Sequence, residues 1–312
     1  MPVLFGMMSL VFSIPVFVVL SRFPEKGITG LVRENSMPYR LTGAFYTLFF
    51  LWAAFISAER LVLFTGTVLF KNESTAALTV LLLVSSAFAA SKGLEAAARA
   101  ASVFFFVLSA SLILALIPAA GRFDTANLTP PFYNGIGETA AAAFHSMSRT
   151  CETAAFGVLS AKLNCKGSRV LISGFIAFSV SAALLFLFIG GVTGKFGEIQ
   201  LFPLYNLASA AKLGFFERLD SAVTGLWLLS AFIRTALFIS AGTFSAEHIP
   251  VLHGVKGLPF YFAAAVFVTV SVFSFSSVNF GTLVSSGVFE IIFIAGTTVL
   301  PSVLLIRKGM KT

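Results

Sequence analysis

The residues best suited to binding a ligand stand in the middle of one apolar stretch, residues 138–163, which is long enough to cross a bilayer. They carry hydroxyl, thiol, guanidinium or carboxylate groups: Ser146, Ser148, Arg149, Thr150, Cys151 and Glu152. Such side chains need protein partners or a water-filled cavity inside a membrane, because lipid cannot solvate them. Ser and Thr also bond to backbone groups and thereby support an opened helix. The pattern predicts a ligand site at an interrupted span. An amphipathic helix that packs its polar face against other spans explains it equally well.

Glu152 is the strongest single candidate, since a carboxylate in mid-span is costly unless it is paired or hydrated. It is expected to meet a ligand amine or to act as a proton-linked group. The alternative is an ion pair with Arg149, three residues earlier on the same helix. Arg149 would bind a ligand carboxylate or pair with Glu152 or Glu290. Arg234 and Glu290, in later spans, are expected to be structural partners between helices.

The elements that hold these residues are membrane helices. Hydrophobic residues make up 57% of the chain and charged residues only 11%, and the mean hydropathy is +0.95. Soluble domains carry about a quarter charged residues, so this composition indicates an integral helical membrane protein. In membrane proteins lysine and arginine concentrate in the cytoplasmic loops, so the net charge of +8 does not predict nucleic-acid binding. The two cysteines and three histidines have no ligand spacing, and no catalytic motif occurs, so neither an enzyme, a metal site nor a cofactor is predicted.

The apolar runs predict a single polytopic domain over residues 1–312. Nine spans are expected, at residues 3–20, 41–69, 75–91, 100–119, 138–163, 170–191, 219–241, 258–275 and 282–306. Residues 201–216 are expected to form an amphipathic helix at the membrane surface. Thirteen lysines and arginines lie in the loops after odd-numbered spans, and five lie in the other loops. The bias places the N-terminus outside and the C-terminus in the cytoplasm.

Three local patterns complete the predictions. Glu59 and Arg60 are expected to mark the point where the second span leaves the core, and the alternative is that they face the bundle interior. Lys92, Glu95 and Arg99 are expected to share one face of a helical continuation of the third span. His248 and His253 are expected to lie in a solvated loop.

The most specific stretch is residues 201–234. It contains, in order, Phe202-Pro203-Leu204-Tyr205, Leu213-Gly214, the charged box Phe216-Glu217-Arg218-Leu219-Asp220, and Trp227. This order resembles the membrane-embedded B subunit of bacterial spore germinant receptors, the endospore germination permease family, although Asp220 stands where that family commonly has Glu. Weaker motifs agree in the same order: Phe23-Pro24, Lys92-Gly93-Leu94-Glu95 with Arg99, Asn127-Leu128-Thr129-Pro130, Cys151-Glu152, and Pro301 with Arg307-Lys308.

The resemblance implies a fold similar to the amino acid–polyamine–organocation transporters. That fold has ten spans in two inverted five-helix repeats, with a midplane site between the first and sixth spans. We expect the family's first span to be missing from this sequence, through either a misplaced start or a true shortening, and so expect an all-α, transporter-like inverted-repeat bundle of about nine spans. The resemblance also implies residues that stabilise the structure or dock a partner subunit: Glu95, Arg99, Pro203, Tyr205, Glu217, Arg218, Asp220 and Trp227.

The resemblance further implies a spore germination protein in the inner membrane of a spore or the membrane of a spore-forming cell. Its partners would be a membrane subunit with a soluble domain and a lipoprotein, and its ligand a small nutrient, an amino acid by default. Two alternatives stay open. One is a secondary active amino acid permease, and the other is a shortened structural subunit that lost its pocket with the first span.

Overall fold

The computed structural model describes residues 2–23, 26–69, 75–128, 135–147, 151–162, 167–209, 220–274 and 287–309. Within these ranges the regular secondary structure is helical. The helices are α1 Pro2–Arg22, α2 Met37–Phe64, α3 Ala76–Ser91, α4 Leu94–Ala120, α5 Ile136–Met147, α6 Glu152–Leu159, α7 Gly167–Thr193, α8 Pro203–Ser209, α9 Asp220–Ala246, α10 Leu258–Ser274, α11 Val288–Ile294 and α12 Leu300–Gly309. A π turn extends α2 over Thr65–Leu69, and another joins α11 to α12 over Ala295–Val299.

Five described helical stretches are long and apolar enough to cross a membrane: Met37–Leu69, Leu94–Ala120, Ile172–Gly197, Thr224–Ala246 and Val288–Arg307. Three shorter helices are also apolar: Met7–Arg22, Ala76–Ser91 and Leu258–Phe273. Large apolar side chains such as Phe105, Phe106 and Leu184 point outward, where lipid rather than water would surround them. The chain is therefore an all-α integral membrane protein, as its composition predicts. The count of nine spans stays a prediction.

Helices α2 and α9 form the centre of the bundle. They pack against each other along their lengths, α3, α4 and α10 pack around them, and α1 lies against α5, α6 and α7. The ring of Phe50 stacks on that of Phe238, with 6.4 Å between centroids. The hydroxyls of Ser57 and Thr235 form a buried hydrogen bond of 2.9 Å between the two helices. Helices α2 and α9 therefore form a packed frame that positions polar side chains in the interior.

The π turn at Ala295–Val299 ties the last helix to this frame. A π turn displaces backbone carbonyls from the regular helical ladder, and such turns often occur at functional sites. The hydroxyl of Tyr46 donates to the Gly296 carbonyl at 2.9 Å, and that of Thr298 donates to the Phe12 carbonyl at 2.8 Å. Glycine is needed at 296, because a Cβ there would stand 2.3 Å from the ring of Phe49.

The two ends of the bundle differ in chemistry. At one end the start of α2, the end of α9 and the turn after α6 meet, and Lys162 Nζ lies 4.5 Å from the centroid of Phe244. We call this the basic end; its cationic side chains include Arg22, Lys26, Arg40, Lys162 and Lys256. At the other end Phe64 stacks on Trp227 with 5.0 Å between centroids. We call this the aromatic end.

Two of the local expectations about the helices were wrong. Glu59 is only 4% exposed and Arg60 is half-buried, and α2 continues beyond both, so the pair lies inside the bundle. The reason is that α9 packs along this part of α2. Helix α3 does not continue through residue 93, since Gly93 has a φ of +93° and α4 begins at Leu94. Glu95 and Arg99 therefore belong to the first turns of α4.

His248 also differs from its expected place, because it is 9% exposed and lies against α2. Its ring packs on that of Tyr39 at 4.6 Å, and its Nδ1 is 2.8 Å from the Phe244 carbonyl. His253 is exposed, as expected. The described part of residues 201–216 forms α8, whose inner residues Leu207 and Ala208 are buried.

Replacing Gly43 by alanine is expected to destabilise the basic end. A Cβ at Gly43 would lie 2.6 Å from the Cβ of His248 and 2.9 Å from the Ser245 carbonyl oxygen. Overpacking of this kind costs about 1–3 kcal/mol and should lower the melting temperature of the protein in detergent. The matched control is Gly225→Ala on α9, which has no atom within 4 Å of its added Cβ. Equal melting temperatures for the two variants would contradict the described contact.

The protein should lose stability as the pH falls below about 6.5, the ordinary pKa of histidine. Burial lowers the pKa of His248 in the folded protein, so the unfolded chain takes up the proton first and is favoured in acid. His248→Asn keeps a donor for the Phe244 carbonyl but cannot titrate. The fall in melting temperature between pH 7 and pH 5 should be smaller in this variant than in the native protein. An equal fall would mean that His248 is not responsible, and His253→Asn serves as the exposed control.

Candidate ligand site at an interrupted helix

Two short helices meet where the sequence predicts an interrupted span. Helix α5 ends at Met147 and α6 begins at Glu152, preceded by the buried Cys151. The Ser146 hydroxyl donates to the Ala142 carbonyl at 2.9 Å and so stays bound to its own helix. Ser148, Arg149 and Thr150 lie outside the described residues. Most of α6 is buried, which places Glu152 at a helix start within the bundle.

The carboxylate of Glu152 pairs with Arg234 of α9, with 2.6 Å between Oε1 and Nε. The two side chains are 36% and 20% exposed, respectively. Arg60 and Arg234 both lie close enough to Cys151 to act electrostatically on its thiol. Glu152 also benefits from its place in the first turn of α6, because a helix N-terminus carries partial positive charge. Its observed partner thus comes from another helix, whereas the sequence had suggested Arg149.

A hydrogen-bonded pair lies on the other side of the interruption. His145, in the last turn of α5, pairs with Glu290 in the first turn of α11. Glu290 is buried and His145 is about half-exposed. Glu290 was expected to be a structural partner between helices, but the sequence did not point to His145 as the residue it would meet. No local signal could have found this pair, since 145 positions separate the two residues.

The two pairs give the interruption an alternating charge pattern. Each pair joins one half of the broken helix to a different neighbour: α6 to α9 through Glu152, and α5 to α11 through His145. Charges act strongly on one another where water is scarce. A small solute with its own ammonium and carboxylate groups could exchange with such a pair without leaving either partner uncompensated. The geometry therefore suits recognition of a zwitterion.

A cluster of aromatic rings lies beyond Arg60 and Arg234, towards the aromatic end. Phe202 meets Trp227 edge-on at 5.4 Å, and Phe64 contacts both Phe202 and Tyr205, at 5.1 Å and 5.7 Å. We call Phe64, Phe202, Tyr205 and Trp227 the aromatic cluster. Arg60 lies one turn before Phe64 on α2, and Arg234 lies two turns after Trp227 on α9. Both arginines therefore lie on the inner side of the cluster.

The remaining motif residues that the structure describes lie apart from this site. Pro203 opens α8, where the missing N–H of proline is tolerated. Glu95 and Arg99 form a 2.5 Å ion pair whose side chains are 80% and 79% exposed. Glu217 and Arg218 lie outside the described residues, and Asp220 begins α9. Among the described residues, no three His, Cys, Asp or Glu side chains cluster as a metal site would require.

The chain is a helical membrane protein with charged side chains at an interrupted helix in its interior, which makes that place a candidate site for a small solute. The sequence profile of the family described as "Spore germination protein" matches residues 1–280. The chain therefore belongs to the spore germination protein family.

One relative illustrates the distance within the family. The chain is 28% identical over 221 residues to "Spore germination protein KB" of Bacillus subtilis (strain 168), an alignment that covers 67% of this chain and 59% of that protein. The chain thus spans about three fifths of that relative's length. No solved structure matches the chain.

Breaking the Glu152–Arg234 pair should cost more than breaking the exposed pair. Glu152→Gln and Arg234→Gln should each lower the free energy of unfolding, because each leaves one interior charge uncompensated. In a double-mutant cycle the coupling should be about 1–3 kcal/mol, measured by unfolding in detergent. The same cycle on Glu95 and Arg99 is the control and should give about 0.5 kcal/mol or less. Equal coupling for the two pairs would show that Glu152 and Arg234 are as well hydrated as a surface pair.

Proposed function

We propose that this protein is the membrane-embedded, ligand-binding subunit of a nutrient germinant receptor. The observation that carries the proposal is the interrupted helix, with the Glu152–Arg234 ion pair on one side and the His145–Glu290 hydrogen bond on the other. The ligand is a small germinant with ammonium and carboxylate groups, an amino acid. Membership of the spore germination protein family supports the germination role, and the charge pattern supports the ligand class.

Ligand capture would act by exchange of partners. The ligand carboxylate takes the place of Glu152 on Arg234, and the ligand ammonium takes the place of Arg234 on Glu152. Helix α6 is then held to α9 through the ligand instead of directly. A ligand shifts a conformational equilibrium only if it binds one state better than the other, and the exchange provides that difference. The position of α6 relative to α9 is therefore the signal.

Helix α6 reaches the basic end, where the signal can leave the protein. The Ile28 N–H, in the connection after α1, donates to the Gly157 carbonyl at 3.0 Å. A Cβ at Gly157 would lie 2.6 Å from Ile28 Cδ1, so the two segments touch without a gap. A shift of α6 would displace this connection. The basic end would face the cytoplasm, as its positive charge favours, and would dock the partner subunits, namely a membrane subunit with a soluble domain and a lipoprotein.

A second candidate function is proton-linked amino acid transport. It is favoured by the His145–Glu290 pair, because histidine and a carboxylate in a membrane interior are typical of proton pathways. Uptake of labelled alanine into vesicles, abolished by an uncoupler, would support transport. Binding without uptake would leave the receptor function as the better account.

Spores whose own gene carries Glu152→Gln or Arg234→Gln should lose their response to amino acids. We expect the germinant concentration that gives half-maximal germination to rise at least tenfold, because one charge of the exchange is gone. The measurement is the fall in optical density after addition of an amino acid mixture, at protein levels verified by immunoblot. Glu138→Gln removes an exposed carboxylate of the same type from the first turn of α5 and should leave the response unchanged. A normal response in the Glu152 and Arg234 variants would refute the site.

A further inference from the structure

A cavity separate from the interrupted helix lies at the aromatic end, between the last turns of α4, the end of α7 and α8. Its volume is about 430 Å³, within the range of small-molecule sites, about 300–1,000 Å³. We call it the α8 pocket; its principal lining residues are Pro118, Arg122, Phe196, Gln200, Asn206 and Leu207. None of these residues belongs to the two pairs at the interruption.

The lining offers one cation, one free acceptor and an apolar wall. No acidic side chain among the described residues forms an ion pair with Arg122, and the nearby Asp124 accepts the backbone N–H of Ala126. Gln200 Oε1 is buried and accepts no hydrogen bond from the described residues. A buried acceptor without a donor is costly, so a ligand that donates to it is favoured. The guanidinium of Arg122 favours a ligand carboxylate, and Phe196 contributes an apolar surface to the same lining.

The walls of the α8 pocket are held together before any ligand arrives. The Gly191 carbonyl accepts the Asp124 N–H at 3.0 Å and the Asn127 side-chain amide at 2.8 Å. A Cβ at Gly191 would lie 2.2 Å from the ring of Phe123, so the chain after α4 lies directly on the end of α7. A preformed pocket loses less free energy on binding than one that must be ordered.

Helix α8 is the shared wall between this pocket and the aromatic cluster. Asn206 and Leu207 line the pocket. Tyr205 and Ala208, their neighbours on the same helix, pack with Trp227. A displacement of this single helix would therefore also move rings of the aromatic cluster.

We propose that the α8 pocket is a second binding site, for a small solute that carries a carboxylate and a hydrogen-bond donor. The carboxylate pairs with Arg122, the donor bonds to Gln200 Oε1, and the occupied pocket displaces α8 and the aromatic cluster with it. The site is built from its own lining and does not depend on ligand binding at the interrupted helix.

The first test uses Trp227 as a reporter, since the chain has two tryptophans and Trp52→Phe leaves only Trp227. The protein is placed in phosphatidylcholine nanodiscs and titrated with L-lactate, which has a carboxylate and a hydroxyl donor, and with L-lactamide, which has no carboxylate. L-Lactate should change the emission saturably, whereas L-lactamide should not. Arg122→Gln should weaken L-lactate binding at least tenfold, and Glu138→Gln, at an exposed carboxylate outside both sites, should leave it unchanged. An unchanged response in Arg122→Gln together with loss of the response in Glu152→Gln would assign binding to the interrupted helix instead.

The second test detects binding even if α8 does not move. Ser209 lines the pocket and is exposed, so Ser209→Cys can be labelled in a protein whose native cysteines are replaced by serine. An anionic methanethiosulfonate should react several-fold faster than a cationic one, and L-lactate should protect the thiol. Equal rates and no protection would overturn the proposal. If the added solute protects the thiol in phosphatidylcholine nanodiscs but not in phosphatidylglycerol nanodiscs, the occupant of the pocket is a lipid headgroup and not a solute.

Discussion

The ion pair between Glu152 and Arg234 is the interaction on which the interior of this protein depends. An interrupted helix in a membrane exposes backbone groups and polar side chains to surroundings that solvate neither well. The pair compensates both charges and holds α6 against α9, one of the two central helices. His145 and Glu290 do the same for α5 and α11. The interruption is thus stabilised by contacts that a suitable solute can replace.

The frame around this centre is apolar and closely packed, which is why the charges can be held in place. Helices α2 and α9 share aromatic stacking and a buried hydroxyl pair, and they place Arg60 and Arg234 inside the bundle. The π turn of the last helix is fixed by Tyr46. Glycines such as Gly296 and Gly157 allow side chains of neighbouring segments to approach the backbone closely. Packed interiors of this kind transmit a displacement rather than absorb it.

Much of the fold could be predicted from the sequence, because hydropathy alone defines apolar helices. The polar run at 146–152 also coincides with the end of α5 and the start of α6. The partners could not be predicted: Arg234 meets Glu152, and Glu290 meets His145, only because distant helices pack together. Burial of Glu59 and His248 was misjudged for the same reason, since no local pattern reports which neighbour will cover a side chain.

The charge-swapped variant Glu152→Arg with Arg234→Glu tests the central claim most directly. It keeps an ion pair between α6 and α9 but reverses the polarity that a zwitterionic germinant would meet. If the pair recognises the ligand, the swapped protein should reach normal levels in spores and melt close to the native protein, yet fail to respond to amino acids. A normal germination response in spores with the swapped pair would show that the pair only joins the two helices, and that the germinant is recognised elsewhere.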